Sequence, residues 1–298
     1  MLREVNKEII KLPKFVKKEI IFIGDYIDRG LNSKKTITKL IDLKKKYKKF
    51  NKININYICG NHDEFFSKLI TSNGIIKEPK GNKDFKNDQL KKLIKSSKNY
   101  IYITGLEAWF NVGGGKTTIK DYCPEILDEM EDIILSNYDN MPNKYKRLSS
   151  LIQTLKRSIP ENHKVFFKRI IKSYYLIIGQ YLFVHAGINP NKNLRSQGIG
   201  NNTKYLNENE LVELLMIRDP FLWTDKLDNC PYYVIHGHTP SEKKINHTII
   251  ADGNKNFRLC LDSKVYDKEG SLTCFYKYLK RNKFISVTKK NPKIRILY

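Results

Sequence analysis

The chain has 298 residues, 55 Lys plus Arg against 31 Asp plus Glu, a formal net charge of +24, and 40% hydrophobic residues of which many are aromatic. That content builds a core and excludes a disordered chain, and no apolar run reaches the roughly 18 residues a membrane span needs. Five cysteines (Cys59, Cys123, Cys230, Cys260, Cys274) form no Cys-x-x-Cys pair, so neither a disulfide framework nor a thiolate zinc site is implied. The opening MLREVNKEII lacks a basic-then-apolar signal layout, which gives the expectation of a soluble, cytoplasmic protein with no membrane partner. The charge raises the question of nucleic acid. Only 10 of the 55 basic residues are Arg, however, and the Lys residues lie along the whole chain. Arg is the side chain suited to bidentate phosphate and base contacts, so nucleic acid is the lesser reading for a partner.

In chain order, apolar β-type segments alternate with helix-period segments. Strands are expected at Glu19–Ile23, Ile53–Cys59, Tyr174–Ile178, Tyr181–Val184, Tyr232–Ile235, Thr248–Ala251, Arg258–Leu261 and Ser271–Tyr278. Helical spacings of three and four appear in Ile37/Leu40/Ile41, Leu90/Leu93/Ile94, Ile126/Met130/Ile133/Ile134, Leu148/Leu151/Ile152/Leu155 and Leu211/Leu214/Leu215. Pro160 stops the fourth of these, and Gly179-Gln180 between two apolar runs predicts a hairpin turn. The Lys44–Lys49 run falls late in its helix, where cations suit the dipole, and is expected to be a solvated face. No repeat or Gly/Ser-rich linker divides the chain. The pattern is an α/β layered domain with a mainly helical insert at about 85–170.

Four apolar strands each run into a polar cluster: GDYIDRG (24–30), GNHDE (60–64), HAG (185–187) and HGHTP (236–240). In open α/β sheets, sites form in the crevice beyond the carboxyl ends of the strands. A carboxylate, an amide carbonyl and two imidazoles delivered there make a mixed oxygen and nitrogen ligand set. It suits Mn, Fe or Zn better than Ca.

GDYIDRG, GNHDE, FVHAG (183–187) and HGHTP, in this order, resemble the calcineurin-like metallophosphoesterases. Within that family they more closely resemble the bacterial and phage serine/threonine protein phosphatases and the related symmetrical diadenosine-tetraphosphate hydrolases. Gly113-Gly114-Gly115, Ile217-Arg218-Asp219 and Leu261-Asp262-Ser263 agree with the same families. The resemblance covers essentially the whole chain. It implies one domain over 1–298 with a four-layer α/β/β/α sandwich, and divalent metal, Mn foremost with Fe or Zn as alternatives. It assigns Asp25 as the bridging ligand, with Asn61, His185 and His238 completing the second metal site. It makes His62 the general acid oriented by Asp28, and gives the phosphate to Arg29 and Arg218, beside Asn61. The implied partner is a phosphoprotein or a small phosphoester. Hydrolysis of phosphoserine or phosphothreonine is the leading expectation. Dinucleoside-polyphosphate hydrolysis and a catalytically impaired phosphate-binding protein are the alternatives.

One departure bears on activity. The family's Gly-Asp-x-His-Gly motif, whose Asp and His hold the first of two metals, has no counterpart in residues 1–23, which contain neither His nor Asp. Leu2, Val5, Ile9, Ile10 and Leu12 instead have the spacing of the helix that follows the family's first strand, so that strand is expected to be lacking. Two explanations stay open: the sequence starts at an internal Met, or the chain is a decayed or repurposed member with one metal or none. A smaller departure is Lys264, where the family usually has Gly.

Other features point to structure. Gly114-Gly115-Lys116-Thr117 is similar to a nucleotide P-loop, but that motif needs Gly at 110, which is Phe110. His163 and His247 lie in polar surroundings and are expected at the surface. His236 is expected to be structural, and Trp109 and Trp223 are expected to pack the insert and the sheet edge.

Overall fold

The computed structural model describes residues 17–48, 53–73, 76–77, 101–135, 143–200, 206–224, 227–240, 258–268, 270–278, 281–288 and 295–297. The expected helices at 2–12 and 90–94, the expected strand at 248–251 and His247 lie outside these residues, as does the start of the insert.

The site-bearing half begins with a parallel β-α-β unit. Strand β1 (Lys18–Phe22) pairs with β2 (Ile53–Tyr57) in the register Ile20↔Ile55, and helix α1 (Ser33–Lys48) connects them. Ser33, Ile37, Leu40 and Tyr47 form the buried face of α1, while Lys44, Lys45, Lys46 and Lys48 are exposed. Helix α2 (Asn61–Thr71) starts directly after β2.

A second sheet has the order β5-β6-β7-β8: β5 (Tyr175–Ile178) is antiparallel to β6 (Tyr181–Val184), which runs parallel to β7 (Tyr233–His236), itself parallel to β8 (Arg258–Cys260). Gly179, at φ +58°, makes the β5–β6 hairpin turn. Alternation sends Leu182, Val184 and Val234 into the main core, with Ile55 and Tyr57 of the first sheet. Tyr181, Ile235 and Leu259 bury the opposite face. This is a mixed α/β fold.

Between the sheets in sequence lie β3 (Ile76–Lys77) and β4 (Ile101–Tyr102), then α3 (Ile103–Glu107), a π-helical turn (Ala108–Val112), α4 (Gly115–Tyr122), α5 (Leu127–Leu135), α6 (Lys144–Ser158) and α7 (Glu161–Ile170). Trp109, Phe110, Leu148 and Phe167 join the same main core. Helix α8 (Glu208–Met216) precedes Arg218, and its start is fixed by a capping box: Asn207 Oδ1 accepts the Glu210 N–H at 3.0 Å while Glu210 Oε2 accepts the Asn207 N–H at 2.7 Å. The antiparallel meander β9 (Ser271–Tyr278), β10 (Arg281–Thr288) and β11 (Arg295–Leu297) closes the chain and is tied back through Ser263, whose carbonyl accepts the Ser271 N–H at 3.0 Å. No helix among the described residues is long and apolar enough to cross a membrane.

Two expectations about single residues are corrected. Trp223 does not pack a sheet edge; it is 76% exposed. His163 is not at the surface but buried, in α7, with Nε2 at 3.1 Å from Thr38 Oγ1 and Nδ1 at 2.8 Å from the Tyr122 hydroxyl. The polar sequence around it hid an aromatic wall, Tyr122 standing edge-on to its ring. Thr38 commits its proton to the Lys34 carbonyl, so it accepts from His163 Nε2–H, and Nδ1 accepts from Tyr122. The neutral ring is therefore fully satisfied.

Burial, with Lys34 adding to it, pushes the His163 pKa below its ordinary value, Asp42 opposing. The unfolded chain thus binds this proton first as pH falls. The stabilisation from neutral His163 is full above about pH 6.5 and is lost as pH falls from there toward the lower folded value. Urea unfolding of wild type and His163→Gln at pH 7.5 and 5.0 is expected to show the wild-type advantage shrinking at the lower pH. A difference independent of pH would contradict it.

Candidate metal centre

The site is assembled from the four strand ends. After β1 the chain turns sharply: Asp25, Asp28 and Arg29 have φ of +56°, +70° and +56°. His238, after β7, has φ +66°. Left-handed backbone at non-glycine residues costs roughly 1–3 kcal/mol each and persists only where the surroundings hold it. Here Asp63 does much of the holding: its carboxylate accepts the backbone N–H groups of Asp25 (2.8 Å), Tyr26 (3.0 Å) and Gly60 (2.9 Å), joining the ends of β1 and β2. The approach is so close that a Cβ on Gly60 would lie 2.3 Å from Asp25 Oδ1. Asn61 and His62 then fall in the first turn of α2.

Asp25, Asn61, His185 and His238 converge. His185 Nε2 is 3.3 Å from Asp25 Oδ1 and 3.1 Å from Asn61 Oδ1, and His238 Nδ1 is 2.9 Å from Asn61 Oδ1. Asp25, His185 and His238 can each offer a ligand atom within 4.8 Å of the others. The tautomers show what is missing from this cluster. His185 Nδ1 lies 2.7 Å from the Ile23 carbonyl and so must carry a proton. In the neutral ring its Nε2 lone pair then faces two oxygen acceptors, an arrangement that calls for a second proton or a cation. His238 Nε2 is buried with no hydrogen-bond partner among the described residues. A carboxylate oxygen, an amide oxygen and two imidazoles fit a borderline divalent ion such as Mn, Fe or Zn.

The charges agree. Burial alone would raise the Asp25 pKa, but His185, His62 and His238 beside it hold the carboxyl well below its usual range. Burial opposes a charged His185, yet Asp25 outweighs it and the pKa rises. His238 goes the other way, driven well below its ordinary value by burial and by His185. The cluster thus carries an ionised carboxylate next to an imidazole that resists protonation.

Next to it, His62 Nδ1 donates to Asp28 Oδ2 at 2.6 Å. Burial disfavours its charge, but Asp25 and Asp28 raise its pKa to about 9. Its Nε2 lies 4.0 Å from Asp25 Oδ2, and the ring lines a cavity of about 110 Å³ together with Arg29, Asn61, Arg218 and His238 on the polar side. Neither guanidinium has a carboxylate partner among the described residues. Burial and Arg29 together lower the Arg218 pKa, which marks two like charges held close. All eight residues singled out from the sequence therefore meet in one place. His236 lies beside the site, buried, with its ring edge-on to Phe221 at 4.9 Å.

Sequence reasoning missed other members. Trp109, assigned to packing, is buried but also donates its indole N–H to Asp28 Oδ2 at 2.7 Å. Thr118 donates to Asp28 Oδ1. Both lie more than 80 residues from Asp28, and nothing in their spacing signals the contact. Lys264 has φ +52°, which explains why Gly suits that position.

Isothermal titration with Mn2+ checks the cluster. His185→Ala and His238→Ala are each expected to weaken binding by at least about tenfold, since even outer partners of a metal site contribute 10- to 100-fold. Wild-type affinity in both variants would remove the site.

No curated protein matches the chain significantly. The family model of the calcineurin-like phosphoesterases matches residues 2–266, from before β1 to the turn that precedes β9. With that span matched and the strand-end cluster in place, the chain belongs to the calcineurin-like phosphoesterases.

Proposed function

We propose that the protein is a serine/threonine protein phosphatase, hydrolysing phosphoserine or phosphothreonine esters by direct attack of water, without a phosphoenzyme. Metal-dependent phosphoester hydrolysis is the chemistry of its family. The observation that carries the reading is the cavity in which Arg29 and Arg218, lacking carboxylate partners among the described residues, face His62 beside the Asp25 cluster. Two unpaired guanidiniums are an anion site, and their planar donors match phosphoryl oxygens.

Asp25, Asn61, His185 and His238 would hold the ion, with Mn the first choice. When bound, a divalent ion supplies acidity to a water molecule and positive charge to the phosphoryl group. The rest falls to the chain. Arg29 and Arg218 bind the equatorial oxygens and offset the charge that develops there. Asn61 adds a polar group at the same wall. His62 keeps one proton on Nδ1 against Asp28, which leaves the Nε2 proton to pass to the leaving oxygen as the ester bond breaks. Phe65, Ala108, Trp109 and Met216 supply the apolar wall of the cavity and limit the water that reaches it.

A one-metal or phosphate-binding role is the second reading. It is favoured by the single three-residue ligand cluster among the described residues.

Turnover of a phosphothreonine peptide, of diadenosine tetraphosphate and of p-nitrophenyl phosphate with added Mn2+ separates these. Peptide turnover is expected to exceed that of the dinucleotide, and His62→Asn to lower kcat by about 10²- to 10⁴-fold, the range of a positioned acid. Preference for the dinucleotide would replace the substrate assignment. Phosphate binding without turnover of any ester would favour the second reading.

A further inference from the structure

The Gly113-Gly114-Gly115 turn, which the P-loop comparison leaves without a role, lies between the two insert residues that grip Asp28. Trp109 sits in the π-helical turn immediately before it, and such turns recur at functional sites. Thr118 sits in α4 immediately after it. The glycines make the geometry: a Cβ on Gly115 would lie 2.3 Å from Trp109 Cε2 and 2.4 Å from its Cδ2, so the indole rests on bare backbone. Gly114, at φ +84°, has no room for a Cβ against Arg29, whose N–H its carbonyl accepts at 3.3 Å.

The Asp28 carboxylate is buried, its side chain 1% exposed. Held by His62 alone, it could rotate about its side-chain bonds and carry the imidazole with it. Instead Thr118 takes Oδ1, and Trp109 shares Oδ2 with His62. Thr118 Oγ1 also accepts the Asp28 N–H at 3.1 Å. Since the single Thr118 hydroxyl proton goes to the carboxylate, Ser33 must donate to Thr118 across their 3.1 Å contact. The Asp28 N–H is shared between Thr118 Oγ1 and Ser33 Oγ, the latter at 3.2 Å, and both carboxylate oxygens are fixed.

We propose that Trp109 and Thr118, spaced by the glycine turn, are positioning residues that lock the Asp28 carboxylate and thereby aim His62 Nε2 at the leaving oxygen. The turn serves Arg29 as well, so the insert aligns the proton donor and one phosphate ligand through a single segment. This rests on the assignment of His62 as proton donor.

The test uses Trp109→Phe, Thr118→Val, Thr118→Ser and Gly115→Ala in the full chain. With Mn2+ present, two aryl esters differ in their need for a proton: phenyl phosphate releases a basic phenolate, 2,4-dinitrophenyl phosphate a weakly basic one. Trp109→Phe, Thr118→Val and Gly115→Ala are expected to lower kcat on phenyl phosphate about tenfold or more, and on the dinitrophenyl ester by less than about threefold; for Thr118→Val, which is neither in the cavity wall nor against Arg29, KM is expected to be unchanged. Thr118→Ser is expected to restore activity. Equal losses on both esters, or none, would overturn the proposal.

A second readout is independent of turnover. Trp109 and Trp223 are the chain's two tryptophans, and exposed Trp223 serves as an internal reference for exchange of the indole protons. In proton NMR the Trp109 indole N–H is expected to exchange slowly in wild type and rapidly in Asp28→Asn. The downfield proton of the His62–Asp28 bond is expected to broaden or vanish in Trp109→Phe and in Thr118→Val. If wild type hydrolyses neither ester, the hydrolase reading fails and this arm alone decides. An unchanged His62 proton in both variants then overturns the positioning role.

Discussion

The site depends on one buried carboxylate that is not among the residues lining the cavity. Asp63, fully buried in the first turn of α2, accepts three backbone N–H groups from two different strand ends. Without it the β1 loop would have unpaired amides at Asp25 and Tyr26, and each buried orphan costs about 1–3 kcal/mol. The interaction is made under load. Burial and the neighbouring Asp25 raise the Asp63 pKa to about 7, against the pull of the Gly60 and Tyr26 amides. Two carboxylates are thus packed together at the crossing of the loops, and only the one that faces the histidines is held strongly ionised. That division gives Asp25 a ligand's charge and leaves Asp63 a structural clip.

The same economy appears in the hydrogen bonds that brace the site from behind. Tyr26 places its hydroxyl between the carbonyls of Phe22 (2.9 Å) and Ile58 (2.7 Å), closing the gap where β1 and β2 stop pairing. On the other sheet, Arg258 reaches the Leu222 carbonyl at 2.7 Å and that of Thr224, and its guanidinium carbon lies 5.7 Å from the Phe221 ring centroid. The turn that follows Arg218 is therefore pinned from beneath by β8. Arg218 itself is left for the cavity because a different arginine does the structural work.

How far the site could be read from the sequence follows from where its information lies. The four strand ends were legible because each time a mostly apolar run gave way to ligand-type side chains with a glycine among or directly before them: Gly24, Gly60, Gly187 and Gly237. β6 and β9 match the expected bounds, and β1 and β7 are displaced by a single residue at each end. Helix α2 was not anticipated: Asn61 through Ser67 are all buried, polar and apolar alike, so no amphipathic period exists to be seen. Helices α4 and α7 and the strands β3, β4, β10 and β11 were missed as well. Trp109 and Thr118 were invisible as site residues because their bond to Asp28 is a product of the insert folding back across 81 and 90 positions. His163 and Trp223 failed in opposite directions for one reason. Neighbouring composition says little about burial when the covering residue, such as Tyr122, comes from another element.

The net charge of +24 acquires a narrower meaning beside this site. Most of it is Lys, and the exposed Lys residues late in α1 are solvated charge on a surface helix. Such charge contributes a diffuse field that raises the local concentration of anions but does not orient them. Orientation needs fixed donors, which under the proposed function would be Arg29 and Arg218, held in the cavity by a left-handed backbone and by the pinned turn. Arg29 is braced further by Tyr266, whose ring lies 5.1 Å from its guanidinium carbon. A phosphate ester approaching this protein thus meets a general attraction over the surface and a specific one in a single cavity. Only the second can select, because under the proposed function it is there that the anion would meet a proton donor whose direction the insert sets.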